Sequence, residues 1–178
     1  AAIDTISYTD LYSTLEGNAD LILNINERIF DSAGLMLNLK NPITEEGISL
    51  DGSISNPEHL LLSKDVLLNN IYINLQAQLK NFGLNRFVPQ KNDNNMISGM
   101  VFASGPIMHP YLSVSVDSVS ILFAANMFHG RGTVVVEDRD VSISDLNIDF
   151  ANLNIHNIQG TASLEDLTLN ATGEFNYS

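Results

Sequence analysis

The sequence predicts an all-β protein, and three observations carry that expectation. Apolar and polar residues alternate with period two along much of the chain, the mark of strands with one apolar and one polar face. The candidate strands are short and recur at intervals of roughly ten residues. Glycine and proline punctuate the alternation where strands begin, bend or end. The clearest stretch runs from Asn94 to Phe128. Gly99, Gly105, Pro106 and Pro110 divide it, and Leu112, Val114 and Val116 then alternate with Ser113, Ser115 and Asp117. Val119, Ile121 and Phe123 resume the alternation after a slip of one residue.

Composition narrows the function classes. At 178 residues the chain is long enough for one ordinary domain, and 44% hydrophobic residues argue against disorder. No apolar run approaches the roughly 20 residues of a membrane helix. Eight Lys plus Arg stand against 21 Asp plus Glu, a net charge of −13. That excludes the clustered cations that bind nucleic acid, and it opposes simple docking on an anionic lipid surface. The absence of cysteine rules out disulfides, thiol catalysis and Cys-ligated zinc. The chain reads as a piece of a longer protein, so the lack of a secretory leader in it says nothing about the parent's address.

The elements follow in order. Residues 3–16 alternate weakly up to Gly17. Leu21, Leu23 and Ile25 share one parity, with turns expected at 26–28 and 31–34. Leu35, Leu37 and Leu39 alternate next, before loop signals at Asn41-Pro42 and Glu45-Glu46-Gly47. Ile48 and Leu50 lead to Gly52 and Pro57, and 58–70 reads equally as a short helix or an irregular strand. Ile71, Ile73 and Leu75 return to period two. One short helix is expected over 75–87, because Leu75, Leu79, Phe82 and Phe87 fall near one helical face. Pro89 and the polar run 90–95 mark a boundary between a first β unit, 1–90, and a second, 91–178, that continues the same sheet. Further on, a tight turn is expected at His129–Gly132 and a hairpin tip at Glu137–Asp140. Val141 and Ile143, then Leu146, Ile148 and Phe150, then Leu153, Ile155 and Ile158 alternate up to a break at Gly160. Leu164, Leu167, Leu169 and Ala171 lead to Gly173 and a last short strand. Gly52, Ile54 and Pro57 share their spacing with Gly105, Ile107 and Pro110, a weak internal repeat of the kind found in stacked arrays.

No catalytic or metal-binding constellation emerges. His59, His109, His129 and His156 are scattered without a ligand spacing and read as surface or turn positions. Glu137, Asp138 and Asp140 lack the glycine–aspartate spacing of a calcium loop and enclose Arg139, so they read as a solvated turn. The chain is expected to be non-enzymatic, with no cofactor.

A patterned order runs from Ile71 through the polar loop to Ile97-Ser98-Gly99, Gly105, Pro110-Tyr111-Leu112-Ser113, and the strands that close at Gly173. This order resembles the repeated unit of the TamB proteins, in the wider AsmA-like group, best over 71–175 and more faintly over 17–70. The resemblance implies an elongated, curled β-sheet, a taco-like open groove of stacked strands with an apolar interior. It also implies a periplasmic location within an inner-membrane-anchored parent, an Omp85-type outer-membrane barrel protein as partner, and a part in phospholipid transport or outer-membrane protein assembly. The expected occupants of the groove are phospholipid acyl chains. Strand parity picks out its lining as Leu112, Val114, Val116, Val119, Ile121, Phe123, Val141, Ile143, Leu146, Ile148, Phe150, Leu153, Ile155, Leu167 and Leu169. About fourteen strands at ~4.8 Å would make a groove roughly 65 Å long. The alternative is a structural or adhesive β-sandwich or β-solenoid of a bacterial surface protein, in which the same residues are sealed in a core.

Overall fold

The structure is a computed structural model that describes residues 2–9, 14–26, 29–57, 70–84, 95–123, 125–163, 165–166 and 168–177. Within them the chain forms eleven strands: β1 (Ala2–Thr9), β2 (Thr14–Asn26), β3 (Ile29–Lys40), β4 (Gly47–Ser55), β5 (Tyr72–Gly83), β6 (Met96–Pro106), β7 (Tyr111–Phe123), β8 (Asn126–Glu137), β9 (Asp140–Phe150), β10 (Leu153–Ser163) and β11 (Thr168–Tyr177). They build one sheet whose spatial order equals the sequence order. Every pair is antiparallel, and the sheet is not closed: β1 pairs with β2 and β11 with β10, at opposite ends of the row. With eleven strands in place of about fourteen, the sheet is roughly 48 Å across its ladders. It continues through the boundary expected near residue 90, because β5 and β6 pair from Tyr72–Pro106 to Gly83–Met96.

Period two is obeyed where a helix was expected. Residues 72–80 alternate between exposed and half-buried, and β5 is hydrogen-bonded to β4 on one side and β6 on the other. Two ladders outweigh the modest helix preference of Leu, Gln and Lys. The helical spacing of Leu75, Leu79 and Phe82 has another origin. A bulge at Lys80–Asn81, with Asn81 at φ 47°, inserts one residue, and Phe82 returns to the face of Leu79. Residues 85–87 of the expected helix, and 58–69 with His59, lie outside the described residues.

Several glycines and turns expected to interrupt strands lie inside them. Gly17 is within β2, Gly160 within β10 and Gly173 within β11. The tight turn expected at His129–Gly132 is continuous β8, and the turn expected at 31–34 is continuous β3. Close approach explains Gly160 in β10 and Gly132 in β8, as it does Gly99 in β6. A Cβ on Gly132 would meet the Cα of Leu146 at 2.9 Å, and one on Gly160 would meet the carbonyl oxygen of Asn170 at 2.7 Å. A Cβ on Gly99 would collide with the Ser115 carbonyl across the ladder. In a flat sheet Cβ atoms stand clear of the neighbouring backbone. Here the next strand leans over the glycine, so the sheet curls toward the side on which these glycines lie.

The slips visible in the sequence are β-bulges, and they line up. Asp117 is the extra residue of β7 against β6, between the pairs Val116–Gly99 and Ser118–Ser98. Asp145 (φ 53°) serves β9, and Asn157 (φ 54°) serves β10. Asn81 in β5, Asp117 in β7 and Asn157 in β10 fall between the same two cross-strand rows, and Asp145 lies one residue outside them, next to Leu146. One row is Leu79, Gly99, Val116, Gly132, Leu146 and Ile158; the other is Phe82, Ile97, Val119, Gly130, Ile148 and Ile155. Each bulge bends its strand and adds local twist. Aligned, they form a crease along the length of the sheet.

Polar side chains hold the crease. Ser98 Oγ accepts the amide of Asn81 at 2.9 Å. The buried Asn147 bridges two bulges. Its Nδ2 donates to the Asp145 carbonyl at 2.7 Å, and its Oδ1 accepts the Asn157 amide at 3.1 Å. Loops are fixed in a similar way. The fully buried Asn95 accepts the Leu122 amide at 2.7 Å, and the fully buried Asn56 donates to the Phe30 carbonyl at 3.0 Å. At the loop after β3, Asn41 Oδ1 accepts the amides of Ile43 and Thr44. The spacing shared by Gly52 and Gly105 does not place them equivalently: Gly52 pairs with Leu75, and Gly105 with Ile73.

Three substitutions check this account. Gly99→Ala is expected to cost about 2–3 kcal/mol or more in denaturant unfolding, because backbone must move to admit the methyl. Gly34→Ala, whose Cβ would meet only the Gly52 carbonyl at an ordinary 3.7 Å, is expected to stay within about 1 kcal/mol of the parent. Asn147→Ala orphans the Asp145 carbonyl and the Asn157 amide and is expected to cost about 1–3 kcal/mol, with faster hydrogen exchange at Asn157.

Candidate functional site

The ladder register gathers the apolar residues of the chain on one face. In β2 to β4 they are Leu21, Leu23, Leu35, Leu37, Leu39, Ile48, Leu50 and Ile54. Ile73, Leu75, Ala77, Leu79 and Phe82 carry the face across β5 to Ile97, Val101 and Ala103 of β6. Among the described residues, no laddered position on this face is Asp, Glu, Lys or Arg. The opposite face carries Asn, Gln, Ser, Thr and most of the charge, together with apolar side chains such as Ile22, Met36, Met100, Phe102, Leu122 and Val135.

The residues picked out by parity share the apolar face. Leu112, Val114 and Val116 pair with Val136, Val134 and Gly132 of β8, and Val119, Ile121 and Phe123 with Gly130, Phe128 and Asn126. Val141, Ile143, Ile148 and Phe150 pair with Val136, Val134, Gly130 and Phe128 from the other side. Leu153 and Ile155 pair with Phe150 and Ile148, Ile158 with Leu146, and Leu169 with Ala162. Leu167 lies outside the described residues. Parity alone missed Phe128, Val134 and Val136, because a turn expected at His129–Gly132 hid the continuity of β8. It also left out the face of β2 to β6, although the alternation of Leu21, Leu23, Leu35, Leu37 and Leu39 was visible.

The crease forms the floor of this face. A depression of about 170 Å³ lies on it, lined by the apolar side chains of Val114, Val116, Val119, Phe128, Val134, Ile143, Leu146 and Ile148 over Gly130 and Gly132. Aromatic rings collect toward the end where β7 turns into β8 and β9 into β10. There the Phe123 and Phe150 rings approach to 6.2 Å, with Phe128 in the strand between them. The remainder of the face is largely aliphatic.

The face is not sealed. The accessible surface is 11742 Å², whereas a globular monomer of 19.5 kDa exposes roughly 8,500 Å². Leu23 and Ile25 are 59% and 62% exposed, and Leu169 and Phe175 are each 67% exposed. Among the described residues the buried apolar side chains are Leu15, Leu39, Ile71 and Ala103. Among the described residues the sealed core that a sandwich would give Leu112 to Leu169 is not formed, because the described strands make one sheet with no second layer over it.

The described histidines, two on the polar face and His109 in the β6–β7 turn, contact neighbouring polar groups. His129 Nδ1 lies 3.0 Å from Ser120 Oγ, His156 Nε2 3.4 Å from Asp149 Oδ1, and His109 Nδ1 3.4 Å from Asp138 Oδ1. Ser120, His129 and Asp149 form a cross-strand row in register, on the convex side away from the groove. The ion pairs Lys80–Glu45 at 3.0 Å and Arg139–Glu165 at 3.2 Å are both well exposed. Among the described residues no group of three or more His, Asp or Glu is placed to hold a metal ion. Comparison of the chain with family models, curated proteins and solved structures finds no match to any of them.

Proposed function

We propose that this chain is a non-enzymatic lipid groove, in which the concave apolar face shelters the acyl chains of phospholipid. One observation carries the reading: an uncharged apolar face continues across all eleven strands and is left open to solvent. Water bears on a face of that size only at a free-energy cost, and such faces mark binding surfaces. An acyl chain gains about 0.8 kcal/mol for each CH₂ that leaves water, so a dozen methylenes supply roughly 10 kcal/mol before ordering costs. The lining is nearly uniform along the groove. A tail therefore meets no single deep minimum and can slide.

The resemblance of residues 71–175 to the TamB repeat extends the proposal. On that reading the chain is a periplasmic segment of an inner-membrane-anchored protein. The groove moves phospholipid between inner and outer membrane, or serves outer-membrane protein assembly with an Omp85-type barrel as partner through the parent protein. A groove with strands across its long axis supports this use, because its length grows simply by adding strands.

Photocrosslinking tests the proposal. A crosslinking side chain at Ile121, which pairs with Phe128 on the concave face, is expected to capture phosphate-labelled phospholipid. The same group at Ser120, which pairs with His129 on the convex face, is expected to capture little. Absence of label at Ile121, Ile148 and Ile155 in a folded protein would exclude the groove reading and leave a structural or adhesive role.

A further inference from the structure

The charge around the groove distinguishes one class of amphiphile from another. The end of the sheet that holds the β8–β9 and β10–β11 turns is acidic. Glu137, Asp138 and Asp140 stand at the first turn, Glu165 and Asp166 at the second, and all are exposed. The cation among them, Arg139, is engaged by Glu165 at 3.2 Å. The opposite end of the same strands is neutral, with Ala125 and Asn126 at one turn and Ala151 and Asn152 at the other. From Asp140 to Ser178 the sequence contains no Lys or Arg, within a chain of net charge −13. Between the two ends lies the uncharged apolar face. A lipid whose tails rest on that face must leave its headgroup at an end, because a charged group gains no partner on the face itself.

We infer that the groove takes zwitterionic phospholipid in preference to anionic phospholipid, with the headgroup ammonium turned toward the acidic end between β8 and β11. This rests on the groove reading above and adds to it the headgroup class and its direction. An anionic headgroup held across β8 to β11 finds like charge at one end and, among the described residues, no cation at the β7–β8 and β9–β10 turns of the other, whereas an ammonium finds carboxylates. The carboxylates are exposed, so the effect is moderate and is screened by salt.

The test uses the whole chain loaded with a tail-labelled fluorescent phospholipid in detergent micelles. The probe is displaced by dioleoyl phosphatidylcholine or by dioleoyl phosphatidylglycerol, which share their acyl chains. At low salt the zwitterionic lipid is expected to displace the probe at roughly three- to tenfold lower concentration, and the ratio is expected to approach one near ~1 M salt. In the combined variant Glu137→Gln, Asp138→Asn, Asp140→Asn the ratio is expected to fall at low salt while probe uptake persists. Asn tolerates the positive φ of 52° at position 138, so the turn is kept. Equal displacement at low salt, a preference for the anionic lipid, or an unchanged ratio in the variant would overturn the inference and leave the groove intact. Failure of the probe to enter the wild-type chain would remove the groove reading itself.

Discussion

A single sheet has no second layer, so it can shield its apolar face only by bending toward it. Bending is opposed by side chains, because a Cβ on the concave side collides with the next strand as the two backbones close. This chain meets the constraint in two ways along one line. Bulges at Asn81, Asp117, Asp145 and Asn157 supply an extra residue, and Gly99, Gly130 and Gly132 withdraw the side chains that would obstruct the fold. The depth of the groove, the exposure of its walls and the division between apolar and polar faces all depend on that crease. Asn147 and Ser98 then hold the bulged backbone, whose amides and carbonyls no longer find ladder partners.

Much of this was legible in the sequence, and the reason is local. Alternation at Leu112 to Phe123 and at Val141 to Ile155 encodes which side of a strand is apolar, and each slip encodes a bulge. Misreadings arose where one local signal had two physical origins. The bulge at Asn81 gave Leu75, Leu79 and Phe82 a spacing that a helix also produces. Gly130 and Gly132 look like a turn in sequence, but they serve close approach to Val119 and Leu146. Glycine is required in both situations, and only the neighbouring strand distinguishes them. The alignment of the bulges into a crease was not legible at all, because it depends on register between strands that local patterning does not specify.

The edge of the sheet at β11 also bears on how the fold is presented to other molecules. An edge strand offers unpaired amides and carbonyls, and natural sheets blunt such edges with lysine, proline or short length. β11 has ten residues, no lysine and no proline, and every one of its residues is exposed. Its apolar residues Leu169, Phe175 and Tyr177 continue the concave face up to that edge. The groove therefore has no wall where the described strands end.

Strict sequence order in the sheet bears on how the fold is acquired. In a Greek-key sandwich, early strands must wait for partners made much later. Here every strand after β1 finds a partner in the strand just completed. Sheet growth is hence a zipper of successive pairings between strands adjacent in sequence, which is the kinetically favourable regime for β structure. A chain emerging from a narrow pore with its N-terminus leading can lay down β1 to β4 before β9 has appeared. At each moment only the most recent strand presents an open edge on the growing side. Such an order of assembly suits a polypeptide that must fold as it is threaded.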